Sequence, residues 1–408
     1  MDHSGSIVIS GGTISAPLSL PASSSLFRTI PEVDVDFRRK IEQALNQPLD
    51  LPSFSQCAVP GDRIVIAVDP ETPFVSEIIT QCAELFHGIS SEDIRLSVLL
   101  PRDVEGNDWS ELRSAIPEST RNRILFQIHD PDDQTHQGYL ASSAGGERVY
   151  LNRLLLEADL IVTVGVAGFD SALGYRGTTS VVYPSMSDSS TNQRMNASGH
   201  PELTPDQARP ARALVDEIGW LLGTQIAVQI VPDSSGGAGW VLTGTADRVQ
   251  QESQNLLNAH WRISARKNFD LVIVSVPAGG RFAWKQVGAA LESVSRLVHQ
   301  GGRIAVIADV PVPEGPGMSM LRRTNEPEDL LKPLRRDPPN DGRETIQLIQ
   351  TMQKARVYLY SGMPPEIVEE MGMFAIESEE EICKLLAANP NAAIIPSANF
   401  SWCCISEK

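Results

Sequence analysis

The sequence predicts two α/β domains with mainly parallel sheets and a cleft between them. The chain has 408 residues, more than one ordinary core holds, because most domains contain roughly 100–200 residues. Short β-branched runs alternate with helical segments, which is typical of parallel sheets covered by helices. The alternation restarts after a polar stretch, so we expect an N-terminal domain over residues 1–262 and a C-terminal domain over 263–408.

The N-terminal series predicts four strands, at residues 64–69, 94–100, 124–128 and 159–166. A crossover helix is expected over 74–86, where Phe74, Ile78, Cys82 and Leu85 recur at helical spacing. Further along, we expect a surface loop over 184–210, helices over 211–222 and 246–261, and a hairpin of strands 226–231 and 240–242.

The C-terminal series predicts strands at 269–276, 302–309, 356–360 and 392–395 and a helix over 284–298. The loop over 310–341 is dense in proline and charge. A lid and an irregular excursion both fit that composition.

Charge and hydropathy exclude several classes of protein. The chain contains 34 Lys and Arg residues and 51 Asp and Glu residues. The resulting formal charge of −17 repels nucleic acids and anionic membranes. No apolar stretch reaches the roughly 18 residues that span a bilayer, and the first residues lack a signal-peptide pattern. We therefore expect a cytoplasmic protein whose five scattered cysteines are free thiols.

Ligands of open parallel sheets lie outside the carboxyl ends of the strands. The most informative such segment is GVAGFDSALGYRGTT, residues 165–179. Its glycines permit positive φ and close backbone approach, and its side-chain donors suit a small anion. The alternative is that the glycines only shape turns. No G-x-G-x-x-G or G-x-x-x-x-G-K-[ST] motif occurs, which disfavours an ordinary nicotinamide oxidoreductase and a nucleoside-triphosphate site.

Several segments, in this order, resemble the lactate racemase family. They are PGDRIVIAVDPETP (60–73), HDPDD (129–133), GGERVYLNRLLLEADLIVTVG (145–165), GYRGTTSVVYP (174–184), RPAR (209–212) and RVYLYSGMPPEIVEEMGM (356–373). The resemblance implies a nickel-pincer nucleotide cofactor and inversion of small 2-hydroxy acids. A racemase of this family uses two histidine bases, a lysine that tethers the cofactor and a histidine that binds nickel.

Most of these groups are replaced at the matching positions. By resemblance, Asp170 stands where the family has a catalytic histidine, and Ser180 where it has the tethering lysine. The nickel-binding histidine falls on Asn196, and His200, four residues later, is the one candidate replacement metal ligand. The family's Gln-x-x-Lys pair aligns with Gln286 and Ala289.

Two functions remain open. The first is a racemase or epimerase of a small 2-hydroxy acid, in which Asp170, Asp69 or Glu71 transfers protons, Gln286 assists and Arg176 binds the substrate carboxylate. The second is a non-catalytic descendant that binds a small anionic metabolite or a protein partner. The candidate substrate- or cofactor-binding residues are Asp69, Thr72, Gly174, Tyr175, Arg176, Gly177, Thr178 and Ser180.

Overall fold

The computed structural model describes residues 6–27, 36–89, 94–102, 109–197, 199–277 and 282–406. Its strands are β1 (Ser6–Gly11), β2 (Ile14–Ser19), β3 (Ser25–Leu26), β4 (Arg63–Val68), β5 (Arg95–Pro101), β6 (Ile124–His129), β7 (Gln137–Ser142), β8 (Arg148–Asn152), β9 (Leu160–Val166), β10 (Gly168–Asp170), β11 (Gly174–Arg176), β12 (Ile226–Pro232), β13 (Ala238–Thr245), β14 (Arg262–Ala265), β15 (Phe269–Val276), β16 (Val298–Ala308), β17 (Ala355–Tyr360), β18 (Phe374–Ile376), β19 (Ala392–Ile395) and β20 (Trp402–Ile405). Its helices are α1 (Phe37–Asn46), α2 (Val75–Ile89), α3 (Ser110–Ala115), α4 (Glu118–Arg121), α5 (Arg153–Glu157), α6 (Ser189–Ala197), α7 (Pro210–Leu222), α8 (Ala246–His260), α9 (Ala283–Ser295), α10 (Pro316–Leu321), α11 (Leu331–Arg336), α12 (Gly342–Lys354), α13 (Pro365–Glu370) and α14 (Glu379–Ala387).

The chain divides into two compact units, and the division differs from the predicted one. The N-terminal unit comprises Glu32–Asp233 and Gly237–Leu257, and the C-terminal unit comprises Met1–Pro31, Ser234–Gly236 and Asn258–Lys408. The start of the chain was expected in the first domain, yet β3 pairs with β19 and the inward side chains of β1 and β2 join the second core. The reason is burial: Ile9, Ala16 and Leu18 are almost fully buried against that sheet.

The N-terminal unit is built on a six-stranded sheet in the order β13-β12-β9-β4-β5-β6. All its neighbours run parallel except β12 and β13, which form the predicted antiparallel hairpin. In chain order this is the 3-2-1-4-5-6 arrangement of doubly wound α/β folds. The strand order reverses between β4 and β9, and in folds of this class ligands usually bind at the carboxyl ends of the strands at such a reversal.

The C-terminal unit contains a second six-stranded sheet, in the order β18-β17-β16-β15-β19-β3, whose neighbours are all parallel. Its strand order reverses between β15 and β19. The predicted fold class of mainly parallel α/β sheets is confirmed by these two sheets. The predicted cleft between the domains remains a prediction.

Two segments predicted as loops contain helices. Residues 184–210 include α6, and residues 310–341 include α10 and α11. Met318, Leu321 and Leu334 of the second segment are buried in the core of the C-terminal unit. That segment is therefore a packed excursion, because a lid would not supply core side chains.

Among the described residues, no helix has the length and hydropathy that crossing a bilayer requires.

Candidate functional site

The first candidate site lies where the strand order of the N-terminal sheet reverses. The chain leaves β4 at Asp69, whose backbone N–H donates to the Val164 carbonyl of β9 at 2.8 Å. The segment that follows β9 forms the β10–β11 hairpin and the turn after it. The sequence predicted these two segments separately, and the sheet brings them to one edge.

The turn after β4 is held by its own side chains. The Asp69 carboxylate accepts the Glu71 N–H at 3.0 Å, and the Thr72 hydroxyl donates to the Asp69 carbonyl at 2.6 Å. Thr72 is only 3% exposed. Its hydroxyl therefore shapes the turn.

Asp170 closes the β10–β11 hairpin. One oxygen of its carboxylate accepts the N–H groups of Ala172 and Leu173, both at 2.8 Å. Its partner across the hairpin, Gly174, has φ +78°, and a Cβ there would lie 2.3 Å from the Pro205 carbonyl oxygen. Glycine is thus required at 174 by both conformation and space.

Arg176 points into a group of carboxylates. Its guanidinium donates to Glu71 at 3.2 Å, and the two side chains are only 24% and 6% exposed. Burial by itself lowers the pKa of Arg176, but the negative charges of Glu71, Asp69 and Asp170 outweigh it and raise that pKa. We call these four residues the strand-end cluster; with its ionisable groups charged, it has a formal charge of −2.

The strand-end cluster changes the interpretation of Arg176. The sequence suggested an arginine that meets a substrate carboxylate directly. The structure instead shows an arginine that already holds Glu71. An incoming anion must displace Glu71 and overcome the excess negative charge.

The next turn contains Gly177, Thr178 and Ser180. The Ser180 hydroxyl accepts the Gly177 N–H at 2.8 Å and donates to the Gly177 carbonyl at 3.0 Å. Gly177 has φ +121°, and a Cβ there would lie 2.0 Å from the Gln229 amide nitrogen. Thr178 is buried and donates to the Gln250 side-chain oxygen at 2.9 Å.

The segment after α6 docks on the β10–β11 hairpin. The backbone N–H of His200 donates to the Ser171 carbonyl at 3.0 Å, and the Tyr175 hydroxyl donates to Asp206 at 2.5 Å. Arg209, only 4% exposed, donates to the carbonyls of Ser171, Leu203, Pro205 and Gln207. His200 is thus brought to the hairpin, but its ring pairs with Glu202 at 3.1 Å and is 43% exposed.

The donor set does not fit a tethered nickel-pincer nucleotide. Ser180 has no amine, and its hydroxyl is bound to the backbone on both sides. Within the described ranges, no three His, Cys, Asp or Glu side chains are grouped to hold a metal ion. His200 would act alone, from an exposed position.

A second candidate site lies at the reversal point of the C-terminal sheet. Gln286, in the first turn of α9, accepts a hydrogen bond from Asn399, which follows β19, at 3.2 Å. Nearby, burial raises the pKa of Glu344 to about 7, although the positive charge of Lys285 opposes this shift. A Cβ on Gly288 would lie 3.0 Å from the Cβ of Glu344, so α9 and α12 pack closely there.

Sequence reasoning missed Arg209, Asn399 and Glu344. Nothing local distinguishes a buried Arg209 from a surface arginine, because its partners are carbonyls contributed by a folded loop. Glu344 resembles an ordinary acidic residue in the first turn of a helix. Only the packing of α9 on α12 takes it partly out of water.

The strand orders of the two sheets define a protein made of two doubly wound α/β units. Residues 15–198, somewhat under half of the chain, match the family model described as the lactate racemase N-terminal domain. No curated protein sequence matches the chain.

Solved structures show the same fold. The lactate racemase apoprotein from Thermoanaerobacterium thermosaccharolyticum superposes with a TM-score of 0.80 at 16% identity, covering 98% of this chain and 100% of that chain. A second protein, from Thermotoga maritima, gives a TM-score of 0.65 at 13% identity over 92% of this chain and 100% of its own. The resemblance inferred from sequence is thus supported by the family model over residues 15–198 and by the fold of the chain.

Proposed function

We propose that the chain is a racemase- or epimerase-type isomerase of a small 2-hydroxy acid that works by proton transfer between carboxylates, without nickel. The observation that supports this most directly is the strand-end cluster. Four ionisable side chains from two separate segments meet at the reversal point of the sheet, and Arg176 holds Glu71 there at 3.2 Å. Such a crevice is the usual ligand position in this class of fold.

Substrate binding changes the protonation of the cluster. The substrate carboxylate takes the place of Glu71 on Arg176, and the anion raises the negative charge of an already negative cluster. A proton therefore enters together with the anion, because it relieves the repulsion between like charges. One carboxyl group of the site is then protonated while another is ionised.

Inversion at C2 needs one proton acceptor and one proton donor, and the site with one ionised and one protonated carboxyl group supplies both. An ionised carboxylate removes the C2 proton from one face, and a protonated carboxyl returns a proton on the opposite face. Arg176 balances the negative charge that develops on the substrate. Asp170 and Glu71 are the proton-transfer residues in this proposal, and Gln286 is a further candidate contact by resemblance.

The experiment is exchange of the C2 hydrogen in D2O, followed by proton NMR for both enantiomers of several 2-hydroxy acids without added nickel. Asp170→Asn is expected to slow exchange by about 10²- to 10⁴-fold. Its side-chain oxygen can still accept the two N–H bonds of the hairpin, so the fold should persist. Glu77→Gln, at an exposed carboxylate on α2, is the matched control.

A second candidate function has its own supporting observation. Asp170 and Ser180 stand at the family's catalytic and tethering positions, and both are engaged in backbone hydrogen bonds. A non-catalytic protein that binds a small anionic metabolite needs no more than this. Saturable binding of a 2-hydroxy acid without C2 exchange would establish that function, and absence of binding would refute both.

A further inference from the structure

A polar groove lies within the N-terminal unit, apart from the strand-end cluster. It encloses about 690 Å³, and none of the four cluster residues lines it. Its walls are α7, the first half of α8, the segment 205–209 and the turn that contains Thr178. This volume is in the usual range for small-molecule sites.

Trp220 stands at the edge of this groove. The indole is 81% exposed, the most exposed large hydrophobic side chain of the described residues. Its neighbour Gly219 lets α7 pack close to the turn that contains Thr178 and Thr179. A Cβ at position 219 would lie only 2.3 Å from Thr179 Cγ2. A flat aromatic surface is thus held beside a polar groove at a continuing cost in exposed apolar area.

The groove contains buried polar atoms without partners. Gln250 is only 9% exposed; its oxygen accepts the Thr178 hydroxyl, but its nitrogen has no partner among the described residues. The Thr224 hydroxyl, also at the groove, is buried and likewise unpartnered in that part of the chain. Each such atom costs roughly 1–3 kcal/mol until a hydrogen bond is made.

The lining favours an uncharged ligand. It includes five glutamines, Gln207, Gln225, Gln250, Gln251 and Gln254. Of its five charged side chains, Asp247 is the one without a partner among the described residues. Arg212 pairs with Asp216 and donates to the Tyr175 carbonyl at 3.3 Å, Asp206 accepts the Tyr175 hydroxyl, and Arg209 donates to backbone carbonyls. Amides recognise neutral hydroxyl groups because they both donate and accept hydrogen bonds.

We propose that this groove binds a short neutral saccharide, with one sugar ring stacked on Trp220 and its hydroxyls bonded to the amides of α8. The C–H face of a sugar ring is flat and apolar, which matches the indole. Its hydroxyls supply both donors and acceptors, which match the accessible amides of Gln251 and Gln254. The site is independent of the proposed isomerase activity.

The test uses the full chain and a panel of xylose, glucose, galactose, cellobiose and maltotriose, followed by saturation-transfer NMR and calorimetry. We expect at least one saccharide to bind, with an affinity that salt leaves unchanged because no charge is involved. Trp220→Ala should lower the affinity for that saccharide at least tenfold, and Gln254→Ala should lower it severalfold.

Two controls separate this site from other effects. Phe374→Ala removes an exposed aromatic ring of the C-terminal unit, 47% exposed, and should leave binding unchanged. Asp170→Asn should also leave it unchanged, whatever happens to C2 exchange. Failure of the whole panel to bind, or full affinity in Trp220→Ala, would each overturn the proposal.

Discussion

Replacing Glu71 by glutamine tests the strand-end cluster most directly. The substitution keeps the shape of the side chain and removes one negative charge next to Arg176. At 3.2 Å and an effective dielectric constant near 20, two unit charges attract by about 5 kcal/mol. Desolvation offsets much of that attraction, so we expect the unfolding free energy to fall by only about 1–3 kcal/mol.

The same substitution should strengthen anion binding. In the native protein a 2-hydroxy acid must displace Glu71 from Arg176, whereas in Glu71→Gln the arginine is held only by an uncharged amide. The formal charge of the cluster also changes from −2 to −1. A gain of about 1–3 kcal/mol in binding corresponds to roughly 5- to 150-fold higher affinity. C2 exchange should be lost, because the variant lacks a proton-transfer group.

Urea unfolding measures the stability, calorimetry the affinity, and NMR in D2O the exchange. Glu77→Gln serves as the control and should match the native protein in all three. Tighter binding together with lost exchange cannot arise from simple misfolding. Unchanged or weaker binding in Glu71→Gln would show that Arg176 does not meet the ligand carboxylate, and the reasoning would be wrong.

Four further predictions concern His129, Glu344 and Gly177. His129→Ala should lower the unfolding free energy by about 2–5 kcal/mol in urea titrations, because it leaves the buried Ser187 carbonyl and the Asn152 amide without their hydrogen-bond partner. The control His136→Ala removes an exposed ring and should lower the unfolding free energy by under about 1 kcal/mol. Burial lowers the pKa of His129, so its contribution is complete above the unfolded pKa near 6.5 and is lost as the pH falls below it; a flat stability profile between pH 7 and 5 for the difference between native and His129→Gln would contradict this. Burial raises the pKa of Glu344 to about 7, so ionising it costs stability as pH rises from about 4.5 to 7, and Glu344→Gln should be stabilising by on the order of 2–3 kcal/mol at pH 8 but nearly neutral at pH 4. Gly177→Ala should destabilise by roughly 3 kcal/mol or more, because φ +121° and the nearby Gln229 both exclude a side chain; near-native urea stability would refute that geometry.

Local patterns were sufficient for most of the regular structure. The predicted strands at 269–276 and 392–395 coincide with β15 and β19, and the predicted helix at 211–222 differs from α7 by one residue. Runs of β-branched residues and helical spacing report which face of an element is buried, and that information is contained in the segment itself. Two-residue β3 was missed because so short a strand has no period.

The sequence by itself determined that this is an acidic, two-unit α/β chain with its informative turns at the ends of strands. Tertiary structure decided which groups meet there. Glu71 and Arg176 are 105 residues apart, and their pairing depends on β4 and β9 lying side by side at the point where the strand order reverses. It also decided that β3, near the start of the chain, completes the second sheet. Contacts between distant segments depend on the packing of whole elements, which no local period encodes.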